Sequence, residues 1–327
     1  MSNLLSKVLI LLCCVPITAH SLTPVYCTNA YKPTVELWVK VYDELLNKNA
    51  TVRGTTYIQP VKGNGVKDKR HKNLARDTIV FIPDGTTLME PVDLIFYFHG
   101  LGGFKERDFK TRTLRHTVGF PPEKNYVLVI PEMPWSQHTS TPRTRQGYVF
   151  THKDSFPTFV RTIMNIVNTH FSKTQKTKNV LYKIVPDTAI LLGHSAGGST
   201  IMALSRSGGL NWLHKHAEAL SIKIIFSDAA YDHWVDITWR YFRRTRSAAL
   251  TQFILLTRKW DKPYKHTVRF LKRFKKVPPN IQFVVFNRKE KTHGDIGDEA
   301  LTWVYPPIEN MEEDEEGFGC GEGEDYE

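Results

Sequence analysis

The stretch best suited to chemistry is Gly-His-Ser-Ala-Gly at positions 193–197, with Ser195 at its centre. An apolar run at 188–192 precedes it, and a segment with helical spacing of apolar residues begins at 198. A serine on a sharp turn between a strand and a helix has strained backbone angles that lift its hydroxyl above the sheet edge. Glycines two positions away on each side prevent clashes there. The pattern predicts a nucleophilic serine that attacks carbonyl groups.

A second glycine-rich stretch, His-Gly-Leu-Gly-Gly at 99–103, directly follows the apolar run at 93–98. Acyl transfer needs two backbone N–H groups aimed at the oxygen that becomes negative in the transition state. Glycines let the backbone come close to that oxygen because they carry no side chain. The stretch therefore predicts an oxyanion loop, with a structural turn as the alternative.

In order and spacing, the two stretches resemble the oxyanion loop and the nucleophile elbow of the α/β-hydrolase family, which includes esterases and lipases. The resemblance implies that the backbone N–H groups of Leu101 and Ala196 form the oxyanion hole, with Gly102 able to replace Leu101. A glycine-rich phosphate-binding turn is the alternative for the stretch around Ser195. The Lys-Thr pair of a phosphate loop is missing, which argues against that alternative.

The same family carries its acid and then its histidine after the serine along the chain. His293 follows the last predicted strand, where the family has its catalytic base. Two aspartates could serve as the catalytic acid that orients this histidine. Asp261 follows the predicted strand at 252–257, the commonest acid location of the family, and Asp228 ends the strand before it. The sequence favours Asp261 slightly and leaves Asp228 open, and we give His194 no catalytic role.

Short apolar runs rich in β-branched and aromatic residues predict strands that are buried on both faces of a parallel sheet. These runs lie at 78–83, 93–98, 126–131, 188–192, 221–226, 252–257 and 281–286. Helical spacing predicts helices at 32–49, 155–171, 198–205 and 267–274. Alternating strands and helices imply an α/β fold with right-handed crossovers. We therefore expect a three-layer α/β/α sandwich with a mostly parallel central sheet, the α/β-hydrolase fold that the resemblance also implies.

The ends of the chain differ from the middle in composition. Residues 1–21 contain a short basic flank, an apolar run and then small residues at the two positions that a signal peptidase recognises. This pattern predicts a cleaved signal peptide, and an uncleaved membrane anchor is the alternative. We expect an N-terminal segment packing on the core at 22–77, the α/β-hydrolase domain at 78–308 and an acidic, flexible tail at 309–327. Outside the signal peptide there are two cysteines, Cys27 and Cys320, and an exported protein could join them in a disulfide.

The net charge of +11 is spread unevenly along the chain. Basic clusters at 67–72, 240–246 and 265–276 could attract an anionic surface, although runs of charge are more often solvated surface. The charge is not accompanied by a zinc finger, an RNA-recognition core or a basic zipper, so we expect no specific nucleic-acid partner.

These features together predict a secreted or periplasmic serine hydrolase that cleaves a carboxylic ester through an acyl-enzyme. Its substrate would be a small-molecule or lipid-like ester, and the reaction requires no metal or organic cofactor. A secreted serine peptidase or amidase of the same fold is the enzymatic alternative. From another class, a non-catalytic protein could use the basic face of this scaffold to bind a polyanion.

Overall fold

The computed structural model describes the chain at 35–43, 48–61, 76–87, 90–100, 114–121, 123–133, 150, 152–174, 186–216, 221–245 and 250–305. Within these residues the strands form one nine-stranded sheet. They are β1 (Val35–Asp43), β2 (Lys48–Val61), β3 (Arg76–Pro83), β4 (Val92–Phe98), β5 (Tyr126–Pro131), β6 (Pro186–His194), β7 (Ser221–Ser227), β8 (Leu250–Arg258) and β9 (Ile281–Phe286).

The strand order is β1-β2-β3-β5-β4-β6-β7-β8-β9. The pairs β1–β2, β2–β3 and β3–β5 are antiparallel, and every pair from β5–β4 to β8–β9 is parallel. The carboxyl ends of β4 to β9 therefore lie along one edge of the sheet, which is where ligands bind in open α/β sheets.

Helices cover both faces of this sheet. They are α1 (Ser155–Thr174), α2 (Gly198–Ser207), α3 (Gly209–His216), α4 (Trp234–Thr245), α5 (Lys262–Leu271) and α6 (His293–Asp298). Along β4, Leu94 and Phe96 pack in the apolar cluster that α1 to α5 cover, whereas Ile95 and Tyr97 pack in the cluster on the opposite face. The second cluster is covered by α6 and by 3₁₀ helices at Leu114–Gly119 and Glu299–Trp303.

This architecture confirms the predicted three-layer α/β/α sandwich with a mostly parallel sheet, the α/β-hydrolase fold. Each strand predicted between 78 and 286 is present, and β5 and β9 have the predicted bounds. The predicted helices at 155–171 and 198–205 correspond to α1 and α2, while the helix predicted at 267–274 begins earlier, at Lys262.

The helix predicted at 32–49 is wrong, because β1 and the start of β2 lie there. The segment Val-Glu-Leu-Trp-Val-Lys-Val-Tyr-Asp that forms β1 places valine or leucine at every second position. Alternation with a period of two and valine-rich composition favour a strand, although some of the same residues also fall three or four apart.

Within the segment at 22–77 that we expected to pack on the core, β1 pairs with β2 and β2 pairs with β3, so both strands belong to the central sheet. The predicted signal peptide, the acidic tail, Cys27 and Cys320 lie outside the described residues and stay predictions. None of the helices in the described part of the chain is long and apolar enough to span a bilayer.

The turn between β6 and α2 lies very close to the end of β4. A β-carbon added at Gly197 would be 1.9 Å from the backbone oxygen of Phe98, and one added at Gly193 would be 2.9 Å from the backbone of Gly197. Real side chains do not approach backbone atoms this closely. The two glycines on either side of Ser195 therefore let the turn fit against the sheet, as the sequence pattern predicts.

We expect Gly197→Ala to destabilise the protein by at least about 2 kcal/mol, because the added methyl group overlaps with the backbone of β4. Gly294→Ala is the matched control, since its added carbon would meet its nearest atom at 3.8 Å. Denaturant midpoints of both variants and the wild type measure the difference. A Gly197→Ala midpoint equal to that of the wild type would contradict the close contact between this turn and β4.

Candidate active site

Ser195 lies on the turn between β6 and α2 with a φ of 51°, in the left-handed region of backbone space. Non-glycine residues avoid this region, and the strain costs about 1–3 kcal/mol, so it persists where the surrounding structure enforces it. Ser195 begins a 3₁₀ turn, Ser195–Gly197, from which α2 continues, and 9% of the residue is exposed. The serine thus has the strained backbone and the helix start behind it that a nucleophile elbow requires.

His293 and Asp228 form a close pair at the same sheet edge. Nδ1 of His293 lies 2.6 Å from Oδ2 of Asp228. A carboxylate can only accept a hydrogen bond, so Nδ1 carries the proton and Nε2 keeps a lone pair that can accept one. The Asp228 side chain is 1% exposed and the His293 side chain 37% exposed. A buried carboxylate therefore orients an imidazole that is itself partly exposed.

The backbone of β8 fixes the carboxylate in turn. Asp228 directly follows β7 and has a φ of 44°, which aspartate tolerates better than most residues. Its N–H donates to the Leu256 oxygen at 2.7 Å, and its Oδ1 accepts from the Arg258 N–H at 3.4 Å. The carboxylate thus has a backbone partner besides His293, which limits how far it can move.

A capping box positions His293 as the first residue of α6. The Thr292 hydroxyl accepts from the Asp295 N–H at 3.2 Å, and the Asp295 carboxylate accepts from the Thr292 N–H at 2.7 Å. Such reciprocal bonds fix the backbone where a helix begins. The direction in which the His293 side chain leaves the chain is set by this short local motif.

Side chains at the ends of three neighbouring strands hold α6 against the sheet. Tyr97 of β4 donates to the Gly297 oxygen at 3.2 Å, Ser227 of β7 donates to the Ile296 oxygen at 2.9 Å, and Nε2 of His194 on β6 donates to the His293 oxygen at 3.1 Å. The rings of His194 and His293 also lie against each other, with centroids 4.7 Å apart. The residue before the nucleophile thus contacts the candidate base directly.

Two other imidazoles at these strand ends are held neutral. Burial, followed by the neighbouring His293 charge, lowers the pKa of His194 to about 3. Burial lowers the pKa of His99 to about 4. The backbone N–H of Met133 donates to Nε2 of His99 at 3.0 Å, so its Nδ1 carries the proton and donates to the Gly100 oxygen at 2.7 Å. His99 and His194 therefore shape the site without adding charge.

Asp261, the aspartate that the sequence favoured slightly, has other partners in the structure. Its Oδ2 lies 2.5 Å from both Nε and Nη2 of Arg258, and its Oδ1 lies 3.7 Å from Nε of Arg288. The structure brings Asp228, and not Asp261, to His293. The physical reason is that Arg258, three residues earlier, donates from both Nε and Nη2 to one oxygen of the Asp261 carboxylate.

The structure describes only part of the predicted oxyanion hole. Ala196 lies in the first turn after Ser195, with its backbone at the start of the helical segment. A β-carbon added at Gly100 would be 3.1 Å from Cβ of Ser195, so the end of the β4 segment directly adjoins the nucleophile. Leu101 and Gly102 lie outside the described residues, and their part in the oxyanion hole stays a prediction.

We gave His194 no catalytic role, and its hydrogen bond to the His293 backbone was not foreseen from the sequence. Its position next to Ser195 was visible, but its hydrogen bond depends on where α6 lies, and a short helix of six residues gives little signal in the sequence. Across the described ranges, no three His, Cys, Asp or Glu side chains converge as they would around a metal ion.

Comparison with known proteins gives structural likeness alone. No protein-family model matches the chain, and no curated protein matches it. A feruloyl esterase module from Clostridium thermocellum is 14% identical, covering 83% of this chain and 93% of that chain with a TM-score of 0.49. The rice cell wall degrading esterase LipA from Xanthomonas oryzae is 13% identical, covering 85% and 96% with a TM-score of 0.44. An S-formylglutathione hydrolase from Agrobacterium tumefaciens is 12% identical, covering 77% and 94% with a TM-score of 0.39. The likeness at these identities is one of fold.

Proposed function

We propose that this protein is a serine hydrolase that cleaves carboxylic esters, with Ser195 as nucleophile, His293 as base and Asp228 as the acid of the triad. The observation that carries the proposal is the 2.6 Å hydrogen bond between His293 and the buried Asp228. This pair lies beside the strained turn of Ser195, and His194 links the two through its bond to the His293 backbone. Serine, imidazole and carboxylate in this arrangement are the parts of an acyl-transfer site.

The reaction follows from these positions. Oγ of Ser195 forms a bond to the carbonyl carbon while its proton passes to Nε2 of His293, and the π electrons of the carbonyl move onto its oxygen. The backbone N–H groups of Ala196 and Leu101 would stabilise that oxygen. The C=O bond then re-forms, the bond to the alcohol oxygen breaks, and Nε2 returns the proton to the alcohol. Water repeats the sequence and releases the acid from Ser195.

Asp228 contributes by orienting His293 and by stabilising its positive charge. Nδ1 keeps its proton throughout, since the carboxylate accepts this hydrogen bond without taking the proton. Burial strengthens the effect, because the 1% exposed carboxylate interacts with the imidazolium in a medium of low effective dielectric. Asp261 meets neither requirement, as its carboxylate faces two arginines.

An ester substrate is proposed over an amide because the two glycine-rich stretches resemble those of esterases and lipases. Export from the cell is part of the proposal and is supported by the composition of residues 1–21. In the alternative, the protein is not an enzyme: its basic face binds a polyanion, and Ser195 does not react with esters.

We expect a fluorophosphonate probe to label the wild-type protein and to leave Ser195→Ala unlabelled, because the probe reacts with an activated serine. The wild type should hydrolyse short-chain nitrophenyl esters, and Ser195→Ala should hydrolyse them no faster than the background rate. Ser199→Ala is the matched control: the Ser199 hydroxyl, in α2, donates to the Ala196 oxygen of the preceding 3₁₀ turn, so labelling should persist. Heparin binding without labelling of any variant would support the polyanion-binding alternative instead.

We expect Asp228→Asn to lower kcat by up to about ten-thousandfold, because the amide no longer holds the imidazole in the working tautomer. Asp261→Asn makes the same chemical change beside Arg258 and should lower kcat less than about tenfold, an indirect loss from a weakened loop. Steady-state kinetics on one nitrophenyl ester compare the two variants. A larger loss for Asp261→Asn, or equal mild losses for both, would refute the assignment of Asp228.

A further inference from the structure

α4, α5 and the turn after α5 carry a concentration of basic side chains that the proposed ester hydrolysis does not use. In the described ranges 231–245 and 262–276, the acidic residues are Asp232 and Asp236. The lysines and arginines of these ranges are all exposed: Arg240, Arg243, Arg244, Lys262, Lys265, Arg269, Lys272, Arg273, Lys275 and Lys276. We refer to these side chains together as the basic surface.

Contacts between the two helices bring these side chains onto one surface. The Trp239 ring of α4 packs edge to face on the Phe274 ring that follows α5, with centroids 5.7 Å apart. Beside this contact, Arg273 forms an ion pair with the Asp236 carboxylate, and Nε of Arg240 donates to the Asp236 backbone oxygen at 3.4 Å. The basic clusters of α4 and α5, which are separate in the sequence, therefore meet in the fold.

This positive charge exceeds what the helices themselves use. Basic residues in the last turn of a helix stabilise its dipole, and α4 and α5 both have such residues there. The two acidic side chains of these ranges pair with Arg273 and Lys262. Most of the basic surface thus has no acid within these ranges to balance its charge. A field of one sign attracts a partner of the opposite sign.

We propose that the acidic segment at 309–316 of the same chain binds to the basic surface. Six of its eight residues are Asp or Glu, and none is basic. The segment lies outside the described residues, so the proposal rests on its charge, its length and the place from which the chain leads to it. When it is bound, it covers the surface that an external polyanion would contact. The inference is independent of the proposed ester hydrolysis.

The last described residues lie at the amino edge of the parallel strands. The Tyr305 hydroxyl donates to the carboxylate of Asp93, the second residue of β4. Nζ of Lys223, the third residue of β7, donates to the Val304 oxygen at 2.6 Å. The chain that continues to 309 therefore starts from this edge.

The basic ends of α4 and α5 lie at the same edge. α4 joins β7 to β8 and α5 joins β8 to β9, and these strands are parallel, so each helix runs from the carboxyl edge back to the amino edge. An extended chain covers about 3.4 Å per residue, so 309 can lie about 14 Å from Tyr305 and 316 about 37 Å from it. A helix with its side chains is about 10 Å across, so the segment can pass around the edge and reach both helices.

Several weak contacts act together in this arrangement. A single exposed ion pair contributes little, because both charges stay solvated. The segment offers six carboxylates, and its attachment to the same chain keeps it at a high effective concentration near the basic surface. Salt screens exposed charges, with a Debye length of about 8 Å at physiological ionic strength and about 3 Å at 1 M. We therefore expect binding at physiological salt and its loss near 1 M.

Carbodiimide cross-linking of the full chain tests the proposal, because this reagent joins a carboxylate to an amine where the two are in contact. We expect amide bonds within one molecule between 309–316 and the lysines that follow α5, Lys272, Lys275 and Lys276. Lys153 and Lys215 are the controls, since both are exposed outside the basic surface. In about 1 M NaCl the cross-links to the basic surface should become roughly tenfold fewer. Peptide mapping by mass spectrometry counts them.

Two results of this experiment would overturn the proposal. One is cross-links of 309–316 that involve the control lysines as often as the lysines after α5. The other is cross-links found in covalent dimers alone, which would place the segment on a second copy of the chain.

A heparin column tests whether the segment covers the basic surface. Replacing Glu312, Glu313 and Glu315 by Gln should raise the NaCl concentration at which the full chain elutes, because heparin then meets an uncovered surface. The matched control makes the same change in charge at exposed acids elsewhere: Glu90→Gln, Glu123→Gln and Asp154→Asn. It should raise the elution concentration less. Equal shifts for the two variants would mean that net charge alone sets the affinity, which refutes a covered surface. Neither experiment involves Ser195, so both results are independent of the proposed catalysis.

Discussion

The backbone of the turn at Ser195 lies directly against the carboxyl end of β4, and the geometry of the site depends on this contact. The space is so small that a β-carbon at position 197 would overlap with the Phe98 oxygen. Close packing of two backbones leaves the turn no room to relax, so the left-handed conformation of Ser195 is enforced by its surroundings. The same contact places the chain after β4 beside the serine, where an oxyanion loop is needed.

The register of the sheet also determines where the base, His293, lies. Phe98 pairs with Gly193 on β6, and His194 pairs with Ser227 on β7, so the strand ends stop at one level. Hydroxyl and imidazole donors from these ends then reach the carbonyls of α6. A short helix far along the chain is thereby fixed by the sheet rather than by its own length, and His293 is placed with it. Catalytic residues often lie on short loops at the ends of rigid strands, because the strands fix the positions of the loops.

The sequence allowed prediction of the features that depend on local patterns. The short runs that are apolar nearly throughout predicted β3 to β9, of which all but β3 pair in parallel, and the glycines around Ser195 identified the elbow. Features that depend on contacts between residues far apart in the chain could not be predicted from the sequence. Asp228 and Asp261 each follow a strand, and the choice depends on Arg258, which pairs with Asp261 and directs its carboxylate away from His293. Arg258 ends β8 and Asp261 lies just before α5, so the spacing of three residues alone does not show that their side chains meet.

The distribution of charge explains why the proton of Ser195 would have one destination among the three imidazoles at these strand ends. His99 and His194 have pKa values lowered to about 4 and about 3, because burial makes their charged forms costly. His293 differs in having a buried carboxylate at Nδ1 and an exposed face, so a positive charge on its ring is both paired and partly solvated. Positive charge can therefore develop on one ring while its neighbours contribute hydrogen bonds alone, which keeps proton transfer and charge stabilisation in separate groups.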